Sequence, residues 1–347
     1  MRIKESVRRL EAYVPGEQPK ARNVIKLNTN ENPYPPSPKC GEVLSGFDLD
    51  KLRRYPDPEF ALLREEIARQ NATTPDRVFV GNGSDEVLSL MARAFVEDDE
   101  EIGSLDPSYS LYKTLAAIRD VRWVGIRRTG NGEQGTARQG KVSLFLWTNP
   151  NAPTGEFAEP KKIAAFARKF PGVVVVDEAY ADFARGNCMS LATAPRNKNV
   201  IVMRTFSKSY SLAGLRVGYC VGPKDLIEAL YKVKDSYNVD AVAQVIALAA
   251  LRDRSYHKKT VAKVVKTRKA FTKALSARGW DIIPSESNFV FAKPPTPAKA
   301  ADVFAALRER NIFVRYFPGP LTGDRLRITI GTDEQMDSLL SALDELL

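Results

Sequence analysis

Short apolar runs alternate with longer amphipathic stretches along much of the chain. The apolar runs cover residues 78–80, 142–147, 173–177, 199–203 and 217–221. Apolar positions with helical spacing cover residues 58–70, 84–96, 159–169 and 223–234. Strands that are apolar throughout and separated by helices are typical of a parallel sheet with helices on both faces. We therefore predict an α/β fold for this part of the chain.

The pattern changes after a long helical region at about 239–280. The elements predicted beyond it are strands at 288–293, 312–315 and 325–330 and helices at 299–310 and 332–346. We expect a large α/β domain over residues 30–280, with a mostly parallel sheet flanked by helices. Residues 1–29 and 281–347 are expected to form a smaller α+β domain together. Stretches rich in Pro, Asn and Gly predict loops at 28–38 and 129–141.

Composition sets the broad class of protein. The chain has 347 residues, of which 44% are apolar and 27% charged, as in an ordinary globular protein. No apolar run approaches the ~20 residues of a membrane helix, and the charged start lacks the apolar stretch of a signal peptide. We expect a cytoplasmic protein that does not bind membranes. Cys40, Cys188 and Cys220 lie far apart and predict free thiols.

The formal net charge is +10. A nucleic-acid binder is one explanation, but the basic residues are scattered, and an anionic cofactor or substrate accounts for the excess equally well. His257 is the only histidine and stands among basic residues, so we expect it at the surface. A single histidine leaves no multi-histidine metal site and disfavours Ser-His-Asp chemistry. We expect no bound metal and no nucleic acid.

Polar residues follow four of the predicted strands, at 81–86, 148–155, 177–180 and 204–208. Carboxyl ends of strands form the edge of an open α/β sheet at which ligands bind. Gly83, Ser84 and Asp85 open a helix, whose free amide groups bind a phosphate well, although Ser84 or Asp85 as a simple cap is the alternative.

Two ionisable residues lie at the same edge. Asp177 ends a run of valines and is either a cap or a counter-ion for a cationic ring nitrogen. Lys208 is either a surface lysine or a nucleophilic amine beside Thr205, Ser207 and Arg216. Arginine suits a phosphate because its planar fork donates two parallel hydrogen bonds.

Three motifs together resemble the fold-type-I pyridoxal-phosphate (PLP) aminotransferases. They are Asn149-Pro150-Asn151-Ala152-Pro153-Thr154-Gly155, Asp177-Glu178-Ala179-Tyr180, and the segment from Ser207 to Tyr219. Their order and spacing match, and the resemblance runs from about residue 10 to 345. It implies that PLP is the cofactor and that Lys208 holds it as a Schiff base and then moves a proton between substrate and cofactor.

The resemblance also implies a role for each further cofactor residue. Asp177 would keep the ring nitrogen protonated, while Asn151 and Tyr180 would contact the ring oxygen and Tyr109 would stack on the ring. The phosphate would be held by Gly83, Ser84, Asp85, Thr205, Ser207 and Arg216. Tyr55 would reach the phosphate of the neighbouring subunit, which requires a homodimer.

Further features resemble the subfamily whose substrate is histidinol phosphate, an intermediate of histidine biosynthesis. They are the segments 13–16, 27–33, 54–58, 81–86 and 314–332. The resemblance implies that Arg327 binds the carboxylate of glutamate or 2-oxoglutarate, with Tyr13, Asn32 and Arg315 as further substrate contacts. Ser211 and the residues after Arg315 depart from the usual pattern, and the second departure borders the expected substrate pocket.

Two other PLP activities share most of these motifs. One is an aromatic or broad-specificity aminotransferase, which would prefer phenylalanine or tyrosine. The other is a decarboxylase of threonine phosphate, which would release carbon dioxide and need no oxo-acid acceptor. A nucleic-acid binder would instead bind with steep salt dependence and would have no use for Asp177 and Lys208.

Overall fold

The computed structural model describes residues 3–10, 16–20, 23–129, 132–134 and 141–347. The helices are α1 (Glu5–Arg9), α2 (Pro38–Ser45), α3 (Ala61–Gln70), α4 (Gly83–Phe95), α5 (Leu111–Arg119), α6 (Pro160–Ala167), α7 (Met189–Thr193), α8 (Lys224–Val233), α9 (Ala241–Arg252), α10 (Arg254–Ala277), α11 (Ala300–Glu309) and α12 (Asp333–Leu346). The strands are β1 (Ile25–Lys26), β2 (Val78–Gly81), β3 (Glu101–Asp106), β4 (Arg122–Thr129), β5 (Gly132–Gln134), β6 (Val142–Thr148), β7 (Val173–Asp177), β8 (Val200–Thr205), β9 (Gly218–Val221), β10 (Asp281–Ile283), β11 (Phe289–Lys293), β12 (Ile312–Phe313), β13 (Arg315–Tyr316) and β14 (Leu326–Thr329).

The main sheet has the strand order β2-β9-β8-β7-β6-β3-β4-β5. Strands β8, β7, β6, β3 and β4 run parallel to one another. Strand β9 runs antiparallel between β2 and β8, and β5 is an antiparallel edge strand. The carboxyl ends of β2, β6, β7 and β8 therefore meet at one edge. This arrangement confirms the predicted α/β class with a mostly parallel sheet.

The central strands are apolar throughout because both faces of the sheet are covered. Side chains alternate between the faces of a strand, so Val174 and Val176 pack into one core and Val175 into the other. Leu144 and Phe145 of β6 divide between the two cores in the same way. The predicted reason for the apolar runs is thus confirmed.

A second, antiparallel sheet has the order β10-β11-β14-β13, and β1 pairs in parallel with β12 beside it. Helices α11 and α12 and the later part of α10 pack on this sheet around a separate apolar core. Strand β1 lies with this unit, whereas α1 lies against α5 beside the main sheet. The domain boundaries predicted from the sequence stay a prediction.

Two helices replace the single helical region expected at 239–280. Asp253 separates α9 from α10, and its carboxylate caps α10 by accepting from the Tyr256 amide. The predicted loop at 129–141 contains β5, and its residues 130–131 and 135–140 lie outside the described part of the chain. None of the described helices is both long enough and apolar enough to cross a membrane.

Candidate active site

A cavity of about 630 Å³ lies where the carboxyl edge of the main sheet meets β13 and β14. Lys208, Asp177 and Tyr180 line it from the main sheet, and Arg315 and Arg327 line it from the second sheet. The structure therefore brings the chemically active residues predicted from separate strand ends into one enclosed space.

Lys208 follows β8 in a tight turn and points into this cavity. Its Nζ donates a hydrogen bond to the Thr29 carbonyl oxygen at 3.0 Å and lies 5.9 Å from the Tyr180 ring centroid. Burial, together with the charge of Arg327, lowers the pKa of Lys208 to about 8. A much larger fraction of this amine is neutral near pH 7 than in an exposed lysine, as a nucleophile or a base requires.

Asp177 ends β7 and is 4% exposed. The Tyr112 hydroxyl donates to its Oδ2 at 2.8 Å, and the Ala179 amide donates to its Oδ1 at 3.1 Å. Burial raises the pKa of Asp177 to about 6 in spite of these two donors. A cation placed against this carboxylate would compensate for its lost hydration.

Tyr180 lies on the side of the cavity formed by residues 28–31. Its hydroxyl accepts a hydrogen bond from Asn30 Nδ2 at 3.0 Å. Asn30 is fully buried and is held in turn by Thr329, whose hydroxyl donates to Asn30 Oδ1 at 3.0 Å. Thr29, Asn30 and Tyr112 were not among the residues predicted for the site, because a single Asn or Thr in a loop, or a single Tyr in a helix, carries no distinct signal.

A cradle for an anion lies at the start of α4. Helix α4 begins at Gly83, and the Asn82 side chain forms no capping hydrogen bond. Ser84 and Asp85 lie in the first turn, so neither is the N-cap residue, which was the alternative to a phosphate site. Arg216 reaches this turn, with Nη2 3.1 Å from Asp85 Oδ2 and Nη1 3.4 Å from Ser207 Oγ. Helix amides and a guanidinium at one place form a strong phosphate site.

Two glycines make this cradle possible. A Cβ atom at Gly83, where φ is +81°, would stand 2.7 Å from Arg216 Nη2. A Cβ atom at Gly218 would stand 2.6 Å from the Ser84 amide nitrogen. Any larger residue would push β9 and Arg216 away from the helix start. Thr205 and Ser207 form another side of the cradle, and their hydroxyl oxygens lie 3.0 Å apart.

Tyr109 borders the cradle, and its hydroxyl donates to Asp85 Oδ1 at 3.4 Å. Asn151 differs from expectation, because its side chain does not line the cavity. Its Nδ2 donates to Pro107 O and Thr154 Oγ1, each at 3.0 Å, and its Oδ1 accepts from Ser108 at 3.0 Å. Asn151 thus supports the loop that carries Tyr109.

Of the four predicted substrate residues, two line the cavity, one does not, and one lies outside the described residues. Arg315 and Arg327 line the cavity, and Arg327 Nη2 donates to the Asn28 carbonyl oxygen at 2.8 Å. Asn32 does not line it, since its Nδ2 donates to the Ser209 carbonyl oxygen at 3.1 Å. Tyr13 lies outside the described residues.

Tyr55 also lies away from the cavity of its own chain. Its side chain is 80% exposed and stacks on Tyr237, with ring centroids 4.3 Å apart. This placement leaves the ring available to another molecule, as a contact across a subunit interface requires.

His257 was predicted to be exposed at the surface, but it is half-buried in the wall of a groove. Its side chain is 15% exposed and stacks on Tyr210, with centroids 4.0 Å apart. Its Nε2 lies 3.5 Å from Asp182 Oδ2. All three cysteines are buried and free. Among the described residues, no group of three or more His, Cys, Asp or Glu side chains is arranged to hold a metal.

The fold and the site together define the class of this protein. A partly neutral buried amine, a buried carboxylate and an anion cradle around one cavity suit a phosphorylated cofactor with a cationic ring. The model of the family "Aminotransferase class I and II" matches residues 22–343. The chain belongs to this family.

Its most similar relatives carry a more specific name. The chain is 45% identical to the histidinol-phosphate aminotransferase of Syntrophotalea carbinolica, over 99% of each chain. It is 44% identical to that of Geobacter sp., over 99% of this chain and 98% of the relative. The crystal structure of histidinol-phosphate aminotransferase from Sinorhizobium meliloti in complex with pyridoxal-5'-phosphate has a TM-score of 0.89, at 26% identity, covering 99% of this chain and 97% of the other.

Proposed function

We propose that this protein is a PLP-dependent transaminase that exchanges an amino group between histidinol phosphate and 2-oxoglutarate, with glutamate as the other amino compound. The observation that carries this proposal is the convergence of Lys208, Asp177 and the Arg216 cradle on one cavity. The high identity to relatives named for the same reaction supports the choice of substrate.

The residues present fit PLP. The cradle formed by α4 and Arg216 suits the cofactor phosphate, and a Cβ atom at either of its glycines would fill it. The buried Asp177 carboxylate suits a protonated ring nitrogen, because the cation compensates for the burial that raises its pKa. In this assignment Tyr180 would contact the ring oxygen, and Tyr109 would stack on the ring face. Asn151 would contribute indirectly, by supporting the loop that carries Tyr109.

The division of labour among the residues follows from their surroundings. When bound, PLP supplies an electron sink for the bond broken at the substrate Cα. Lys208 would hold the cofactor. Once its amine is free, its Nζ would take the proton from the substrate Cα and donate it to the cofactor. Asp177 holds the ring nitrogen in its protonated form. The burial that lowers the pKa of Lys208 favours the neutral amine that this proton transfer needs.

We assign the substrate end of the cavity to Arg315 and Arg327. The two guanidiniums face the cavity from neighbouring strands and would bind the carboxylates of 2-oxoglutarate and the phosphate of histidinol phosphate in turn. Tyr13 remains a predicted phosphate contact, whereas Asn32 does not line the cavity. A cytoplasmic location stays a prediction from the sequence.

We further propose a homodimer in which Tyr55 completes the cofactor site of the neighbouring subunit. Residues 44–62 carry an unusual number of exposed large apolar side chains, namely Leu44, Leu49, Leu52, Tyr55 and Leu62. Such a surface is typical of an interface between subunits. A second copy of the chain is the occupant that also brings Tyr55 to a cofactor.

The substrate is tested by comparing kcat/KM for histidinol phosphate, phenylalanine and threonine phosphate, each with 2-oxoglutarate. We expect histidinol phosphate to exceed phenylalanine by at least about 10-fold, because its phosphate offers the arginine pair more negative charge and more acceptor oxygens than the single carboxylate of phenylalanine. Equal or better use of phenylalanine would identify the aromatic aminotransferase instead. Release of carbon dioxide from threonine phosphate without an oxo acid would identify the decarboxylase.

A further inference from the structure

Ser209, the residue that follows Lys208, contacts a residue that lines a second groove. This groove has a volume of about 1450 Å³, and Asp182, Arg204 and His257 line it. Ser209 is 2% exposed, and its hydroxyl donates to Asp182 Oδ2 at 2.5 Å. A carboxylate of the second groove is therefore one hydrogen bond away from the neighbour of the reactive lysine.

The backbone around Lys208 is fixed on both flanks. On one side, the Ser207 amide donates to Thr205 Oγ1 at 3.1 Å. On the other, the Ser209 carbonyl oxygen accepts from Asn32 Nδ2 at 3.1 Å while the Ser209 hydroxyl is held by Asp182. Such fixing matters because the rate of a proton transfer falls steeply when the base is displaced from the reacting atom.

Asp182 itself lies beside an arginine and a histidine. Arg204 Nη1 lies 3.6 Å from its Oδ1, and His257 Nε2 lies 3.5 Å from its Oδ2. Burial alone would raise the pKa of Asp182, but the contact with His257 and the charge of Arg204 outweigh it and hold that pKa well below its ordinary value. The carboxylate is thus charged, and a hydroxyl that donates to a charged acceptor forms one of the stronger hydrogen bonds.

The contacts of Arg204 also connect Asp182 to the end of β7, where Asp177 lies. Arg204 also donates to Glu178 Oε2 at 2.8 Å, and Glu178 directly follows Asp177. The His257 ring is fixed by its stack on Tyr210, with an angle of 9° between the ring planes. The stack holds the ring plane beside Asp182.

We propose that Asp182 and Asn32 are positioning residues for Lys208, that they act through Ser209, and that His257 holds Asp182 in place. The inference rests on the proposed function only in that Lys208 is the reactive amine. It reassigns Asn32 from the substrate to the support of the lysine, and it gives the single histidine of the chain a role behind the site.

Ser209→Ala and Asp182→Asn test the proposal, alone and combined, in the holoenzyme. Each is expected to lower kcat about 10-fold, the effect of one hydrogen bond to a charged group, with KM changed by less than about twofold. Both should shift the pH midpoint of the visible band of the bound cofactor in the same direction. The double variant should be no worse than either single one, because both remove the same contact.

Matched variants separate positioning from general stability. His257→Phe keeps the ring stack but removes the nitrogen that faces Asp182, and should lower kcat by about threefold, whereas His257→Gln should recover most of this loss. Ser190→Ala removes a hydroxyl from another wall of the same groove and should leave both kcat and the midpoint unchanged.

Wild-type kcat and an unchanged midpoint in Ser209→Ala and Asp182→Asn, with only a lower melting temperature, would contradict the proposal. Strictly additive losses in the double variant would contradict it as well. If Asp182→Asn does not fold, Ser209→Ala and Asn32→Ala decide by the same readouts. The midpoint is measured without substrate, so it tests this inference even if histidinol phosphate proves not to be a substrate.

Discussion

Arg315 and Arg327 stand directly opposite each other on the antiparallel strands β13 and β14. Both side chains line the cavity, and both guanidiniums lie over the Phe317 ring, 5.3 and 5.1 Å from its centroid. Like charges directly opposite in a sheet repel each other. The two guanidiniums are thus placed where one anion could contact both, as both proposed substrates would.

Arg327→Gln should raise KM for 2-oxoglutarate by about 10- to 100-fold, because a bidentate contact with a carboxylate is lost. The KM of Arg327→Lys should lie between those of the wild type and Arg327→Gln, since lysine keeps the charge without the planar fork. Steady-state kinetics measure both. Arg325→Gln, which removes an arginine paired with Asp281 outside the cavity, serves as the control. An unchanged KM in Arg327→Gln would remove this residue from the substrate site.

Asp177→Asn should make the cofactor-free protein more stable above pH 6. Burial raises the pKa of Asp177 from 3.8 to about 6, so the folded protein holds this proton more tightly than the unfolded chain does. The contribution of Asp177 to the free energy of unfolding is therefore complete below pH 3.8 and is lost as the pH rises through 6. At about pH 8 the ionised carboxylate costs roughly 2–3 kcal/mol, which asparagine avoids.

Urea unfolding of both cofactor-free proteins at about pH 8 and about pH 4 measures this difference, which should vanish at the lower pH. The variant should at the same time lose activity, because asparagine cannot keep a ring nitrogen protonated. A variant that is less stable than wild type at about pH 8 would show that Asp177 has a structural partner strong enough to offset its burial.

Lys208 should be the most reactive lysine of the cofactor-free protein. Its pKa is lowered to about 8, so its amine is neutral at a pH where most lysines are protonated. Limited acylation followed by peptide mass spectrometry should show half-maximal labelling of Lys208 near pH 8. Lys259, exposed on α10, is the internal reference. Equal labelling of the two residues at every pH would contradict the assigned environment.

The dimer predicts complementation between two impaired variants. Lys208→Ala lacks the reactive amine, and Tyr55→Ala lacks the residue proposed to act in the neighbouring subunit. A mixed dimer contains one complete site if Tyr55 acts across the interface, so a mixture refolded at equal amounts should recover about a quarter of wild-type sites. If Tyr55 acts within its own chain, the mixture shows only the sum of the separate variants.

The buried strands were predictable because their apolar runs report directly on coverage of both sheet faces. Strand β3 was not, because Glu101, Gly103 and Ser104 interrupt its apolar pattern, and only pairing with β4 and β6 buries it. The reversed direction of β9 was equally hidden, since an apolar run carries no information about strand direction.

Site residues with a distinctive motif were predictable, and their neighbours were not. The strand-end pattern led to Lys208 and Asp177, but their support by Thr29 and Tyr112 depends on a loop and a helix that meet the strand ends only in three dimensions. His257 carried a usable signal that basic neighbours obscured. His257 and Val261 are half-buried and Val264 is buried, and the three residues follow the i, i+4, i+7 spacing of one helix face.

The visible spectrum of the protein purified with PLP tests the central claim most directly. We predict a yellow cofactor band that disappears on addition of histidinol phosphate without an acceptor, as the amino group moves to the cofactor, and returns when 2-oxoglutarate is added. Lys208→Ala should not complete this cycle. A protein that forms no such band, or a band equally formed and equally changed in Lys208→Ala, would contradict the assignment of Lys208 and with it the proposed reaction.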